Sequence, residues 1–132
     1  MGRLDDDLLG RAEDFAANGL EICDALQRGG RPGWFIDQLG RSACSAAANC
    51  YEADQAMSRP DFCRCLGVSI KELNETRFWL RLAGRRGWVG ADGRTLAQEA
   101  DELGRIFGSM RSRTRAADAK GATRTPARDP RP

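Results

Sequence analysis

Polar side chains recur along Gln38, Ser42, Ser45, Asn49 and Glu52 at intervals of four, three, four and three, which stacks them in one stripe of an α-helix. A neighbouring line, Ile36, Leu39, Ala43, Ala46, Cys50, Ala53 and Met57, keeps the same alternation and is apolar, with several small members. A helix that carries a small-residue seam beside a polar seam lets other backbones come close, and it must satisfy its polar groups where they do. This stretch therefore restricts the chain to folds in which helices pack on helices.

The same period runs through the rest of the sequence. A first helix is predicted from about Leu4 to Gln27 on the stripe Leu8, Ala12, Phe15, Gly19, Ile22, Leu26, with Asp5, Asp6 and Asp7 beside its positive end. Arg28-Gly29-Gly30-Arg31-Pro32 ends it, and Pro32 suits the start of a second helix reaching from Gly33 to Met57. Ser58 is a cap and Pro60 a first-turn residue for a third helix, on Phe62, Leu66, Ser69, Leu73, Thr76, Leu80 and Ala83, to about Arg86. After a break over Gly87 to Gly93, Thr95 and Gln98 read as a capping box for a fourth helix along Leu96, Ala100, Leu103, Phe107 and Met110. No segment alternates with a period of two. Short connections between four amphipathic helices imply an all-α, up-and-down antiparallel four-helix bundle over residues 1–110.

Residues 111–132 differ in kind. They hold seven basic groups (Arg111, Arg113, Arg115, Lys120, Arg124, Arg128, Arg131) against Asp118 and Asp129, whereas the chain as a whole has 21 Lys and Arg against 19 Asp and Glu. With no large apolar residue after Met110 and three prolines near the end, this segment is expected to be a disordered, basic tail. Arg111, Arg113, Arg115, Lys120 and Arg124 are candidates for contact with an RNA or DNA backbone; a solubilising terminus is the other reading. Arg77, Arg81, Arg85 and Arg86 recur on one face of the third helix and form a second candidate, against the plainer reading of a solvated helix end.

The remaining chemistry is sparse. The chain of 132 residues, 41% hydrophobic and 30% charged, is the size of one soluble domain. It has no run of about 18 apolar residues. Its first residues form no apolar signal core, so a cytoplasmic protein without membrane contact is expected. The five cysteines, at 23, 44, 50, 63 and 65, form no Cys-x-x-Cys pair and there is no histidine, so neither a metal site nor a cofactor is expected; reduced, buried thiols are. Carboxylate-bridged di-iron bundles use Glu-x-x-His, which is absent. Ser42 and Ser45 have no base near them in sequence, and a Glu52–Glu72 acid–base pair is the one other catalytic arrangement. The chain reads as non-enzymatic.

The third helix also carries a seam through Cys65, Val68, Glu72, Glu75, Trp79 and Leu82. Its two carboxylates need donors if they are buried, and the polar stripe of the second helix with Arg41 is the expected source. The serine, asparagine and glutamate side chains are thus expected to meet across helix contacts. Trp34, Trp79 and Trp88 are either core rings or interface rings.

At this point Arg41-Ser42-Ala43-Cys44-Ser45, Asn49-Cys50-Tyr51-Glu52, Ser58-Arg-Pro-Asp-Phe62 and Glu72-Leu73-Asn74-Glu75-Thr76 carry a resemblance. In order and separation, over residues 38–88, they look like the bacterial four-helix-bundle family of proteins encoded within 23S ribosomal RNA intervening sequences. The resemblance implies a non-enzymatic homo-oligomer, often a pentameric ring, associated with RNA or a nucleoprotein complex. It also implies that Arg41, Ser42, Ser45, Asn49, Glu52, Glu72 and Glu75 form a helix-packing and assembly network. A related superfamily member, the accessory variability determinant of diversity-generating retroelements, implies an alternative: an accessory protein that binds nucleic acid and a reverse transcriptase.

Overall fold

The computed structural model describes residues 4–124, with side chains described as far as residue 121. Four helices follow one another: α1 (Asp6–Arg28), α2 (Gly33–Asp54), α3 (Arg59–Arg85) and α4 (Ala91–Arg124). Each packs on its neighbour in sequence and α4 closes on α1. Among the described residues the diagonal pairs do not come within 8 Å between Cα atoms. Cross-helix bonds give the directions. The Leu4 N–H at the start of the chain donates to Asp54 at the end of α2, Arg11 near the start of α1 reaches Glu99 and Glu102, and Arg111 late in α4 reaches Cys63 early in α3. The architecture is an up-and-down antiparallel four-helix bundle.

The helix ends follow local chemistry. Asp5 caps α1 by accepting from the Leu8 N–H at 2.7 Å, and Ser58 caps α3 by accepting from the Asp61 N–H at 3.1 Å. Both α1 and α3 end in the same six-to-one, five-to-two pattern. Arg31 N–H reaches the Leu26 carbonyl and Gly30 N–H the Gln27 carbonyl; Trp88 reaches Ala83 and Gly87 reaches Gly84. That pattern needs a left-handed residue, supplied by Gly30 (φ 71°) and Gly87 (φ 73°).

Three expected boundaries move. Helix α2 stops at Asp54, so Met57, expected to continue its apolar line, stands 93% exposed in the turn. Helix α4 begins at Ala91, where the Asp92 carboxylate accepts from the Gly90 and Gly93 N–H groups, so Thr95 lies within the helix and caps nothing. Helix α4 also runs past Met110 to Arg124. The expected disorder therefore does not extend over residues 111–124, and the rest of the tail, with Arg128 and Arg131, lies outside the described residues. Arg111 explains the continuation. Its guanidinium lies across Gly67 of α3, where an added Cβ would sit 3.2 Å from it, and its Nε–H donates to the Cys63 carbonyl at 3.1 Å.

The core lies largely on the predicted stripes: Phe15, Leu26, Leu39, Leu66, Leu73, Leu103 and Phe107 are all at most 2% exposed, and Phe35, beside the predicted Ile36 and on no predicted stripe, is 1% exposed and joins them. Each contributes about 1.5–3 kcal/mol by leaving water. Small residues set the distance between α1 and α2. A Cβ on Gly19 would stand 2.8 Å from the Ala43 Cβ, an atom that moves only with its own backbone. Gly19→Ala should therefore lower stability by about 1–3 kcal/mol despite alanine's better helix propensity. Gly10→Ala, where nothing lies within 4 Å, should instead raise it by about 0.5–1 kcal/mol. Urea unfolding of the two variants reads both signs.

Candidate functional site

The polar seam sits between α2 and α3 and has a buried floor and an exposed rim. At the floor, Ser42 and Thr76 are both 0% exposed, and Thr76 Oγ1 lies 2.8 Å from Ser42 Oγ and 2.8 Å from the Glu72 carbonyl. Ser42 in turn donates to the Leu39 carbonyl at 3.1 Å. Two turns back along α3, the buried Ser69 hydroxyl crosses the interface to the Ala46 carbonyl at 2.7 Å. Among the described residues, no buried side-chain nitrogen or oxygen lacks a partner.

At the rim, Arg41 donates to Glu72 at 2.8 Å and to Glu75, while Gln38 accepts from the same guanidinium at 3.4 Å. The Trp79 indole N–H donates to the Glu75 carboxylate at 3.1 Å. Arg41, Glu72 and Glu75 are thus brought together across the helix interface, and the group extends to an aromatic ring. Ser45 and Asn49 are not part of that crossing. The Asn49 amide folds back on the Ser45 carbonyl at 2.9 Å and on its hydroxyl, the i to i+4 geometry of a single helix. Glu52 is exposed on the last turn of α2, within electrostatic reach of Arg64. Sequence reading took Ser69 and Thr76 as members of an apolar stripe and so missed two of the groups that cross. Their signal was hydroxyls seven residues apart in a line of leucines, each in need of a partner.

Above the seam lies a contiguous aromatic surface. Trp79 is flanked edge-to-face by Trp34 at 6.3 Å, Phe35 at 5.4 Å and Phe78 at 4.9 Å, and Phe35 continues to Trp88 at 5.2 Å. Phe35 is core, whereas Trp34 is 63% and Phe78 55% exposed. Trp88 is half-buried under Arg31 and Arg86, whose guanidinium carbons stand 5.3 and 5.7 Å from its ring centre.

The candidate nucleic-acid contacts fall in two places. Arg77 pairs with Asp101 at 3.4 Å and is half-exposed; Arg81, Arg85 and Arg86 are exposed near the end of α3. Arg111, Arg113, Arg115 and Lys120 are at the opposite end of the bundle on α4, with Arg113 donating to Ser109. The side chain of Arg124 lies outside the described residues. Between α1 and α4 runs a groove of about 750 Å³, floored by Phe15, Ile22 and Leu96, in which Glu99 receives Arg11 at 2.7 and 3.1 Å.

All five cysteines are free thiols. Burial pushes the Cys50 thiol up to about 12 and Cys23 to about 11, and burial also raises Cys65. None of these three is a ready thiolate nucleophile at neutral pH. Among the described residues no group of three or more His, Cys, Asp or Glu side chains is placed to hold a metal ion, and no helix is long and apolar enough to cross a membrane.

Two outcomes follow from this geometry. Ser42→Ala and Thr76→Val should each cost about 1–2 kcal/mol, and the double variant less than their sum, because removing both hydroxyls leaves neither unsatisfied; a double-mutant cycle in urea measures the coupling. The folded chain keeps Cys23 and Cys50 protonated up to about 11 and about 12, against 9.0 for a free thiol. Their contribution to stability is therefore intact below pH 9 and is lost as pH rises beyond it. Melting temperatures from pH 8 to 10.5 should fall less steeply for Cys23→Ala/Cys50→Ala than for the parent.

Comparison with known proteins places this geometry. A protein of unknown function from the S23 ribosomal protein family of Bacteroides thetaiotaomicron VPI-5482, known from a crystal structure, is 28% identical and superposes with a TM-score of 0.74, covering 78% of this chain and 96% of that one. No functionally curated protein matches the sequence significantly. Residues 5–109, which take in all of the polar seam and most of the bundle, match the 23S rRNA-intervening sequence protein family, and the chain belongs to that family.

Proposed function

We propose that this protein is a non-enzymatic, homo-oligomeric scaffold of the cytoplasm that associates with RNA or a nucleoprotein complex. The observation that carries the reading is the patch formed by Trp34, Trp79 and Phe78. Two of its rings are more than half exposed, and the third is held in place through Glu75 and Arg41. A folded monomer gains little from keeping large rings in water, whereas contiguous exposed aromatics are the usual core of a protein interface. The polar seam fits the same role. The hydroxyls of Ser69 and Thr76 and the carboxylates of Glu72 and Glu75 are engaged in bonds between α2 and α3, so the seam aligns the two helices and supports the patch. Family membership supports the association with RNA, and a closed ring such as a pentamer is the assembly that the family resemblance implies.

Light scattering at micromolar concentration should give one defined oligomer for the parent chain. Trp34→Ala/Phe78→Ala should shift it to monomer with little change in melting temperature, because both side chains lie largely outside the monomer core. A monomeric parent chain would overturn the scaffold reading.

A further inference from the structure

Helix α4 has 34 residues and α1 has 23, lengths of about 51 and 35 Å at 1.5 Å per residue. The two run antiparallel from a common end, so the last turns of α4 have no α1 beside them. They pack on the first turns of α3. Arg59 reaches Asp118 at 4.0 Å and stands 3.8 Å from the position of a Cβ on Gly121, and Cys63 is bonded to Arg111. The result is a prong in which the end of α4 lies on the start of α3, itself joined to the last turn of α2 by the short turn 55–58. Arg59, Arg64, Arg111 and Arg115 converge on one recess of about 430 Å³ with Asp118, and Arg59 and Arg113 line a second recess on its other side. Three carboxylates face this set: Asp61 pairs with Arg64 at 2.8 Å, Asp118 lies by Arg59, and Glu52 of α2 is within electrostatic reach of Arg64. The Arg115 side chain makes no hydrogen bond or ion pair among the described residues and is exposed.

We propose that this arginine-lined prong binds the phosphodiester backbone of a nucleic-acid duplex, which deepens, and rests on, the RNA association proposed above. Arginine forks suit phosphate oxygens, and Arg111 and Arg115, one turn apart, are spaced about 6 Å along the helix. The lining of the first recess includes no aromatic ring, and Phe62, which lines the second, is a core residue only 4% exposed and offers no open face to a base. Single strands are gripped by base stacking on such rings, whereas duplexes are held through phosphates and shape. The first recess, with four arginines among its lining residues, also lacks the apolar centre of a protein interface. The aromatic surface of this molecule is at the opposite end of the bundle.

Fluorescence anisotropy of the full chain with 20-base-pair RNA and DNA duplexes, from 50 to 300 mM salt, tests the assignment. A phosphate contact contributes about tenfold at 0.1 M salt through counterion release. Arg59→Gln/Arg64→Gln/Arg115→Gln should therefore weaken binding by about a hundredfold or more and flatten the salt slope by about 2–3 units. Arg105→Gln, on the exposed side of α4 away from the prong, should bind like the parent. Asp118→Arg should bind about fivefold to tenfold tighter, a gain that misfolding does not produce. Parent-like affinity of the triple variant, with loss confined to Arg81→Gln/Arg85→Gln, would overturn the prong while leaving RNA association standing. Absence of duplex binding by the parent would overturn both. Equal displacement by a poly-glutamate of matched charge would assign the surface to an acidic protein instead.

Discussion

The close, hydroxyl-lined contact of α2 with its neighbours is the constraint on which the other features depend. Ala43 faces Gly19 of α1, where an added methyl would stand 2.8 Å away, and the adjacent Ser42 meets Thr76 of α3. Backbones that approach this closely leave no room for large side chains, so the seam is built from alanine, serine and glycine. Polar groups placed there are shut off from water and must find one another. The contact therefore fixes rotation and register as well as distance. Sliding α3 by one residue would separate Ser69 from the Ala46 carbonyl and Thr76 from Ser42 together, at a cost of about 1–3 kcal/mol for each buried group left unsatisfied.

Register at the floor sets geometry at the rim. With α2 and α3 locked, Arg41 lies opposite Glu72 and Glu75, and Glu75 accepts the Trp79 indole. Arg41 is about half exposed, and an ion pair of that kind contributes little to stability by itself. Its consequence is positional. It holds the ring against which Trp34 and Phe78 pack edge-to-face, so a stripe of uncharged hydroxyls in the interior decides where the outer aromatic surface stands.

Much of this was legible in the sequence because three-four spacing reports which side of a helix faces inward. The four stripes match the buried residues closely except at the ends of that of α2, where Phe35 is buried in place of Ile36 and Met57 stands in the turn, and both glycine turns are where the punctuation placed them. The pairing of Arg41 with Glu72 and Glu75 was legible too, since carboxylates within an apolar line demand a donor. What escaped reading depended on three-dimensional neighbours. Nothing in Ser45 and Asn49 says whether they bond along their own helix or across to another. Ser69 and Thr76 look like tolerated small residues until α2 lies beside them. The capping box at Thr95 lost to Asp92, which meets two backbone N–H groups one turn earlier.

The C-terminal arginines show how composition misleads when a partner surface exists. Arg111 to Lys120 holds no large apolar side chain, and by composition alone it cannot offset the entropy of ordering. It does not have to do so alone. Helix propagation from the packed core costs no new nucleus, the segment includes Ala116, Ala117 and Ala119, and Gly67 opens a slot in α3 that the Arg111 side chain fills. Ordered in this way, the charges change character. On a disordered tail they would average over many positions and attract any polyanion weakly, whereas on a rigid helix beside Arg59 and Arg64 they present a fixed array. Its spacing can match one kind of backbone better than another.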